Sequence, residues 1–371
     1  MVYCLFYKSM TLPTTSHDAQ CSMPPTPAVC SVRLIGALLL SLSAGAPVFA
    51  SDTTAPTTPV VTDDGAYTAS ATQLHATWAS SDPESGIAEY QYLIQQDSTS
   101  GAIIVNWTST GTTASVTKIG LSLTQGKTYY IQVKARNGAG LWSAIGTSNG
   151  IKMETTAPSA PAVPLEGSSS TDLDYDADGA YAIYWTAASD AESGISAYEL
   201  QERIGTSGAW TTLTNTLTSL SLSVTGRLDK NWYFYHVRAK NGAGLWGPWS
   251  LGSDGILVDQ TAPSGTVTIN SGAGYTNSLS VTLALFATDN CGTVSQMQFS
   301  NDGTTYTTPE PYAATKSWTL TAGQGVKTVF VKFKDPTGNW STAANDSITV
   351  DTTPPGVTVT FPVDGSVLGA Q

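Results

Sequence analysis

The sequence predicts an all-β chain built of tandem β-sandwich domains, and three observations carry that expectation. The segment Asn-Gly-Ala-Gly-Leu-Trp recurs letter for letter at Asn137–Trp142 and Asn241–Trp246, and a looser copy, Asp335–Trp340, follows the run Lys327–Lys334. The closing tryptophans stand about one hundred residues apart, the size of one sandwich domain and far above a solenoid repeat. Short alternating stretches separated by Gly, Pro and Asn fill the intervals, and no amphipathic helical pattern interrupts them after residue 50.

Each copy of the motif closes a stretch of period two. Tyr129, Ile131, Val133 and Ala135 are apolar, with Gln132, Lys134 and Arg136 between them. Tyr233, Tyr235, Val237 and Ala239 alternate with Arg238 and Lys240, and Val329, Val331 and Phe333 with Lys332 and Lys334. That pattern describes a strand with one buried and one wet face. The Asn-Gly pair is expected to supply positive φ for the tight turn that ends it. A phosphate-cradling loop is the competing reading, but P-loop spacing and a following helix are both missing.

The punctuation sets the domain boundaries. Asp52–Pro56, Glu154–Pro158, Asp259–Pro263 and Asp351–Pro355 are four variants of one opener, acid-x-Thr-Ala/Pro-Pro. They divide the chain into domains over 51–153, 154–258 and 259–350, and 351–371 reads as the start of an incomplete fourth Ig-like repeat. Proline stiffens each joint and no Gly/Ser tether separates the domains, so neighbours are expected to stand end to end with little hinge freedom.

Residues 1–50 read as a signal peptide region, of which 1–22 has the character of an over-extended start. Arg33 is the positive flank, Leu34–Leu42 the apolar run, and Val48-Phe49-Ala50 a small-x-small cleavage site. The apolar run is too short to span a bilayer, so no transmembrane span is expected in the mature chain. Three of the four cysteines, Cys4, Cys21 and Cys30, precede the cut, which leaves Cys291 alone. A net charge of −12 without basic clusters argues against nucleic acid and anionic membrane surfaces.

Inside the first two domains the residues resemble fibronectin type III repeats. Trp78 and Trp185 stand where that family places a tryptophan on its second strand. Leu123, Gly126, Tyr129, Val133 and Ala135 match its corner pattern Leu-x-x-Gly-x-x-Tyr-x-x-x-Val-x-Ala, and the second domain keeps Tyr233, Val237 and Ala239 without the glycine. The third domain resembles the Ig-like repeats of large exported bacterial proteins, through Ser300–Gly303 and Lys327–Asn339. The resemblance implies β-sandwiches and secretion, and modules that serve as spacers, adhesive units or companions of catalytic domains.

Four constellations are candidates for chemistry. Gly146–Gly150 fits the Gly-x-Ser-x-Gly pattern of serine hydrolases, but it sits between predicted strands without the helix that the nucleophile elbow needs. Asp174, Asp176 and Asp178, followed by Gly179, offer three hard oxygen ligands for calcium, with an acidic turn as the plainer reading; the twelfth position is Trp185, which excludes an EF-hand. The first domain carries Thr62–Gly65 at the matching place, with fewer carboxylates. Asp82/Glu84 and Asp190/Glu192 are paired carboxylates of the kind that serve as glycosidase acid and base or as linker calcium ligands, but they recur in a repeat beside turn residues and read as turn-forming and solubilising. Trp107, Trp142, Trp246 and Trp249 lie in or near loops and suggest either aromatic platforms for sugars or packing over the sandwich ends. Cys291, alone in an Asp-Asn-Cys-Gly turn, reads as incidental.

No nucleophile shares a predicted site with a base, and no organic or redox cofactor is implied. The expected function is a non-enzymatic, monomeric, secreted or cell-surface protein acting as spacer or adhesive stalk toward a protein or carbohydrate partner. The alternative is the accessory repeat region of a larger secreted enzyme or redox protein. N-terminal sequencing of exported material is expected to begin at Ser51; a cell-retained protein still carrying Leu38–Leu40 contradicts the export reading.

Overall fold

The computed structural model describes residues 51–358, so the signal peptide region and most of 351–371 lie outside the described residues. The described chain is strands and turns, with one 3₁₀ turn at Asn270–Gly272. Among the described residues no helix is long and apolar enough to cross a membrane.

Three times in succession the chain builds the same pair of sheets. In the first sandwich a three-stranded antiparallel sheet joins Val60–Asp63, Gln73–Ala79 and Ser115–Ile119. The facing sheet runs Tyr67–Thr68, Ile151–Met153, Thr128–Asn137, Ile87–Gln96 and Ala102–Gly111, and its first pair is parallel. The second sandwich repeats this with Leu165–Glu166, Tyr181–Tyr184 and Ser221–Val224 against Tyr175–Asp176, Ile256–Val258, Asn231–Asn241, Ile195–Ile204 and Thr211–Leu217. The third uses Ser264–Ile269, Ser280–Thr288 and Thr315–Thr319 against Tyr275–Thr276, Ala344–Val350, Gly325–Lys334, Gln296–Ser300 and Glu310–Pro311. A parallel edge pair in each larger sheet means that the first segment of each sandwich crosses from one sheet to the other.

The alternation seen in sequence is the alternation of burial. Tyr129, Ile131, Val133 and Ala135 are fully buried, as are Tyr235, Val237 and Ala239, and Val329, Val331 and Phe333. Trp78 packs edge-on to Tyr90 at 6.0 Å between ring centroids, and Trp185 edge-on to Tyr198 at 5.8 Å. Each sandwich has its own buried cluster, so each buries aromatic area, at about 25 cal/mol per Å², without borrowing a neighbour.

One local detail differs from expectation. The left-handed residue of the recurring turn is Gly140, Gly244 or Gly338 (φ +90°, +86°, +114°), and not the Asn-Gly pair. Gly138 and Gly242 serve close approach instead: a Cβ at Gly138 would lie 2.7 Å from the Ser85 carbonyl oxygen, and one at Gly242 2.9 Å from Ser193. The corner of the second sandwich, which lacks the glycine, keeps its geometry. Tyr129 Oη accepts the Thr124 N–H at 2.7 Å, and Tyr233 Oη accepts the Leu228 N–H at 2.8 Å. Lys230 adopts φ +68° where Gly126 has φ +76°, because its N–H must reach Val258 as that of Gly126 reaches Met153.

A left-handed conformation costs an L-residue about 1–2 kcal/mol, part of which glycine returns through its freer unfolded chain. Lys230→Gly is therefore expected to stabilise the second sandwich by up to about 1 kcal/mol, and Gly126→Lys to destabilise the first by a similar amount. Urea midpoints at unchanged slope check both; a weaker Lys230→Gly protein would mean that the lysine side chain itself stabilises the corner.

Candidate functional site

The joints between sandwiches are built from one repeated contact. Gln125, in the corner of the first sandwich, accepts the Thr155 N–H through Oε1 at 2.5 Å and donates through Nε2 to Thr156 Oγ1 at 3.2 Å and Glu192 Oε2 at 2.5 Å. Asp229 holds the same corner position in the second sandwich. It accepts the Gln260 N–H at 2.8 Å, the Thr261 hydroxyl at 2.7 Å and the Asn290 amide at 3.1 Å. Although burial pushes the Asp229 carboxyl up, these three donors hold it below its ordinary range. The corner of one sandwich thus grips both the opener and the acidic turn of the next. At the first joint Tyr67 Oη also donates to the Glu192 carbonyl at 3.1 Å.

Within each sandwich the recurring motif ties that opener down. Asn137 is buried, and its Nδ2 donates to Asp52 Oδ2 at 2.7 Å, the Thr54 carbonyl at 2.8 Å and Asp82 Oδ2 at 3.1 Å. Asn241 repeats the pattern on the Thr156 carbonyl at 2.9 Å and Asp190 Oδ2 at 3.2 Å. Asp82 and Asp190 each cap their own turn, accepting the N–H groups of residues 84–85 and 192–194. Their carboxylates are committed to holding loops, as the sequence reading of turn-forming residues expects.

The three candidate calcium ligands act locally. Asp176 Oδ1 accepts the Asp178 and Gly179 N–H groups, Asp178 Oδ1 accepts the Ala180 N–H, and Asp174 is exposed. Among the described residues three other acidic groups bring ligand atoms within 4.8 Å of one another: Glu166/Asp172/Asp254, Asp229/Asp259/Cys291 and Asp259/Asp289/Asp335. Sequence reasoning missed Glu166 and Asp254, which lie far apart in the chain and outside any acidic run. Ser148 Oγ accepts the Ile131 N–H at 3.2 Å and is buried between strands, a ladder role that Ser253 repeats on Tyr235. Burial, followed by Asp259 beside it, pushes the Cys291 thiol up to about 11, which keeps it unreactive.

Trp107, Trp142, Trp246 and Trp249 lie on the outer face of the larger sheets, beside the outward side chains of the central strand. Trp107 sits within the strand Ala102–Gly111 and not in a loop. Lys134 Nζ lies 4.6 Å from its ring centroid and 4.4 Å from that of Trp142. Trp142, Trp246 and Trp340 each bridge back to a cation of the central strand, Arg136, Lys240 or Lys334. In the second sandwich the stack is longest. His236 lies between Trp210 and Trp249 at 3.7 and 4.0 Å, nearly parallel to both, and Arg238 covers Trp249 at 4.5 Å and Trp246 at 4.7 Å. Arg203 lies over Trp210 at 4.8 Å and Phe234 at 4.9 Å. These ring faces are occupied by the protein's own side chains, which leaves them poor platforms for a sugar.

No protein-family model matches the chain. It is similar to endoglucanase B of Cellulomonas fimi, at 28% identity over 289 residues, covering 74% of this chain and 24% of that protein. It is similar to chitinase A1 of Niallia circulans, at 26% identity over 286 residues, covering 76% of this chain and 34% of that protein. The chain therefore spans about a quarter to a third of the length of these relatives. Among solved structures, the FN1–FN3 domains of chicken CNTN1 cover 80% of this chain at 16% identity with a TM-score of 0.34.

His236 carries a measurable consequence of its stack. Burial first, then Arg203 and Arg238, push its pKa down to about 4, and its Nε2 is 2.9 Å from Gln201 Oε1, to which it donates. The folded state binds fewer protons than the unfolded chain between about pH 4 and 6.5. Stability is full above that window and falls as pH drops through it, by up to about 1.4 kcal/mol per pH unit. His236→Phe is expected to keep the stack and remove this slope. Stability measured at pH 7 and pH 5 checks it; an unchanged slope places the acid sensitivity elsewhere.

Proposed function

We propose that the chain is a non-catalytic spacer in an exported modular protein, with domains over 51–153, 154–258 and 259–350, and that it holds a neighbouring catalytic or adhesive domain at a set distance. The observation that carries this reading is the repeated joint: Gln125 and Asp229 make equivalent corner-to-opener contacts at both boundaries. A tether needs no such contact, whereas a spacer that must not fold back does. The similarity to an endoglucanase and a chitinase, each much longer than the matched stretch, favours a catalytic companion that acts on polysaccharide. The groups that resemble catalytic residues are used to cap turns and complete ladders, which supports a chain without chemistry of its own.

A double variant, Gln125→Ala with Asp229→Ala, is expected to broaden the distance distribution between dyes placed on the first and third sandwiches, with melting of each sandwich little changed. An unchanged distribution would sink the spacer reading. Release of reducing sugar from cellulose or chitin by residues 51–371 alone would overturn the non-catalytic part.

A further inference from the structure

The first two sandwiches bury an acid at the same station, on the first strand opposite the residue two before the core tryptophan. In the first sandwich it is Asp63, paired with Ala76; in the second it is Glu166, paired with Ile183. Asp63 is fully answered. The Gly65 N–H donates to it at 3.3 Å and the Gly150 N–H at 3.2 Å, and the Asn149 amide, in the orientation that satisfies both its ends, donates to Oδ1 at 3.0 Å and Oδ2 at 3.2 Å. Glu166 is not. It is 0% exposed; Oε1 accepts the Ser253 hydroxyl, but Oε2 is buried with no hydrogen-bond partner.

The difference traces to one position. Ser148 and Ser253 occupy equivalent places, accepting the N–H groups of Ile131 and Tyr235, and Gly150 and Gly255 share φ near +95° (+94° and +96°). The residue between them is Asn149 in the first sandwich and Asp254 in the second. The amide that answers Asp63 is therefore replaced by a further carboxylate. A longer loop, 167–174 against 64–66, adds a third acid: Asp172, whose Oδ1 accepts the Glu166 N–H at 2.9 Å. Ligand atoms of Glu166, Asp172 and Asp254 lie within 4.8 Å of one another, and none of the ion pairs among the described residues includes them.

Three converging carboxylates, one of them wholly out of water, need a positive partner. A proton on Glu166 is one: burial, and after it Asp172, push its pKa up to about 8. A divalent cation is the stronger answer, since it relieves all three charges and takes Oε2 as a ligand. Oxygen-only donors select a hard ion, and a half-open irregular set suits calcium better than the strict octahedron of magnesium. We infer that Glu166, Asp172 and Asp254 form a calcium site that clips the loop before Leu173 to the entry of the strand Ile256–Val258. Asp172 and Asp254 are exposed, so water completes the coordination.

The test titrates the mature chain, residues 51–371, with calcium chloride alone, by calorimetry and by melting. Binding is expected with a Kd of about 0.1–1 mM, the range of extracellular modules, with magnesium weaker, and with a rise in the melting temperature of the second sandwich. Asp254→Asn installs the residue of the first sandwich. It is expected to remove one bound equivalent and the calcium response, while melting in chelator at least as high as the unchanged protein. Asp176→Asn is expected to leave the response intact, because that carboxylate serves its own turn. No binding up to about 10 mM, ten times the weaker Kd, or a response that survives Asp254→Asn, overturns the site. In that case Glu166 is a protonated acid, and Glu166→Gln should leave melting the same with and without calcium.

Discussion

The fold of the first two repeats depends on a buried amide at the end of the central strand, Asn137 or Asn241. Asn137 closes Thr128–Asn137 and in one side chain holds the opener through Asp52 and the Thr54 carbonyl and the acidic turn through Asp82, while its Oδ1 accepts the Leu141 N–H of its own turn. A buried polar group with all its bonds made fixes geometry, and one with a bond missing costs about 1–3 kcal/mol. Three segments distant in sequence are therefore located by one residue. Because the opener is located, the corner of the preceding sandwich has a defined surface to grip, and the joint inherits its geometry from the core motif. The third sandwich reaches the same end differently: Asp335 takes the turn N–H groups of Gly338 and Asn339, and the Asn339 amide donates to the Asp259 carbonyl at 2.8 Å.

The central strand of the second sandwich uses both its faces. Tyr233, Tyr235, Val237 and Ala239 fill the core, while Trp232, Phe234, His236, Arg238 and Lys240 form the outer stack. Cation–π contacts contribute about 0.5–1 kcal/mol each where exposed, and aromatic pairs a comparable amount beyond their buried area. The outer face is thus covered by interleaved side chains of one sheet and needs no second layer. The same arrangement explains why many tryptophans in one chain need not imply a binding platform: the rings are stacked on guanidinium, ammonium and imidazole groups of the larger sheet's own strands.

Differences among the repeats show which features the architecture requires. The corner survives loss of its glycine because the backbone hydrogen bond to Val258 outweighs the strain at Lys230. The corner tyrosine itself is dispensable, since Lys327, paired with Ile348 as Tyr129 is with Ile151, stands in its place in the third sandwich. There Tyr312 Oη accepts the Ala287 N–H at 3.2 Å, tying down another part of the same sandwich. At the place of the second-strand tryptophan that sandwich has Leu285, whose N–H donates to the Ala314 carbonyl as that of Trp78 does to Ala114, and its aromatic packing comes instead from Phe299 on Trp318 at 5.4 Å. What persists is the sheet order and the buried period-two strand, which volume and alternation alone can satisfy.

The sequence by itself determined the class, the repeat and the central strands, because side-chain alternation has a period of two and the burial of Tyr129 to Ala135 follows from it directly. It also marked Asp82, Asp190 and Ser148 as structural. It placed the turn's positive φ at the wrong residue, since only the close approach of Gly138 to Ser85 shows why that glycine is there. The positions of the tryptophans, and the meeting of Glu166, Asp172 and Asp254, were decided by tertiary structure. An acid read alone carries no information about which distant strand will face it. Asp254 looks like any loop aspartate until the sheet register puts it where the first sandwich has an amide. Asp176 and Asp178 are dense in sequence and bond to the N–H groups of their own turn, whereas convergence of Glu166, Asp172 and Asp254 requires segments that the fold brings together.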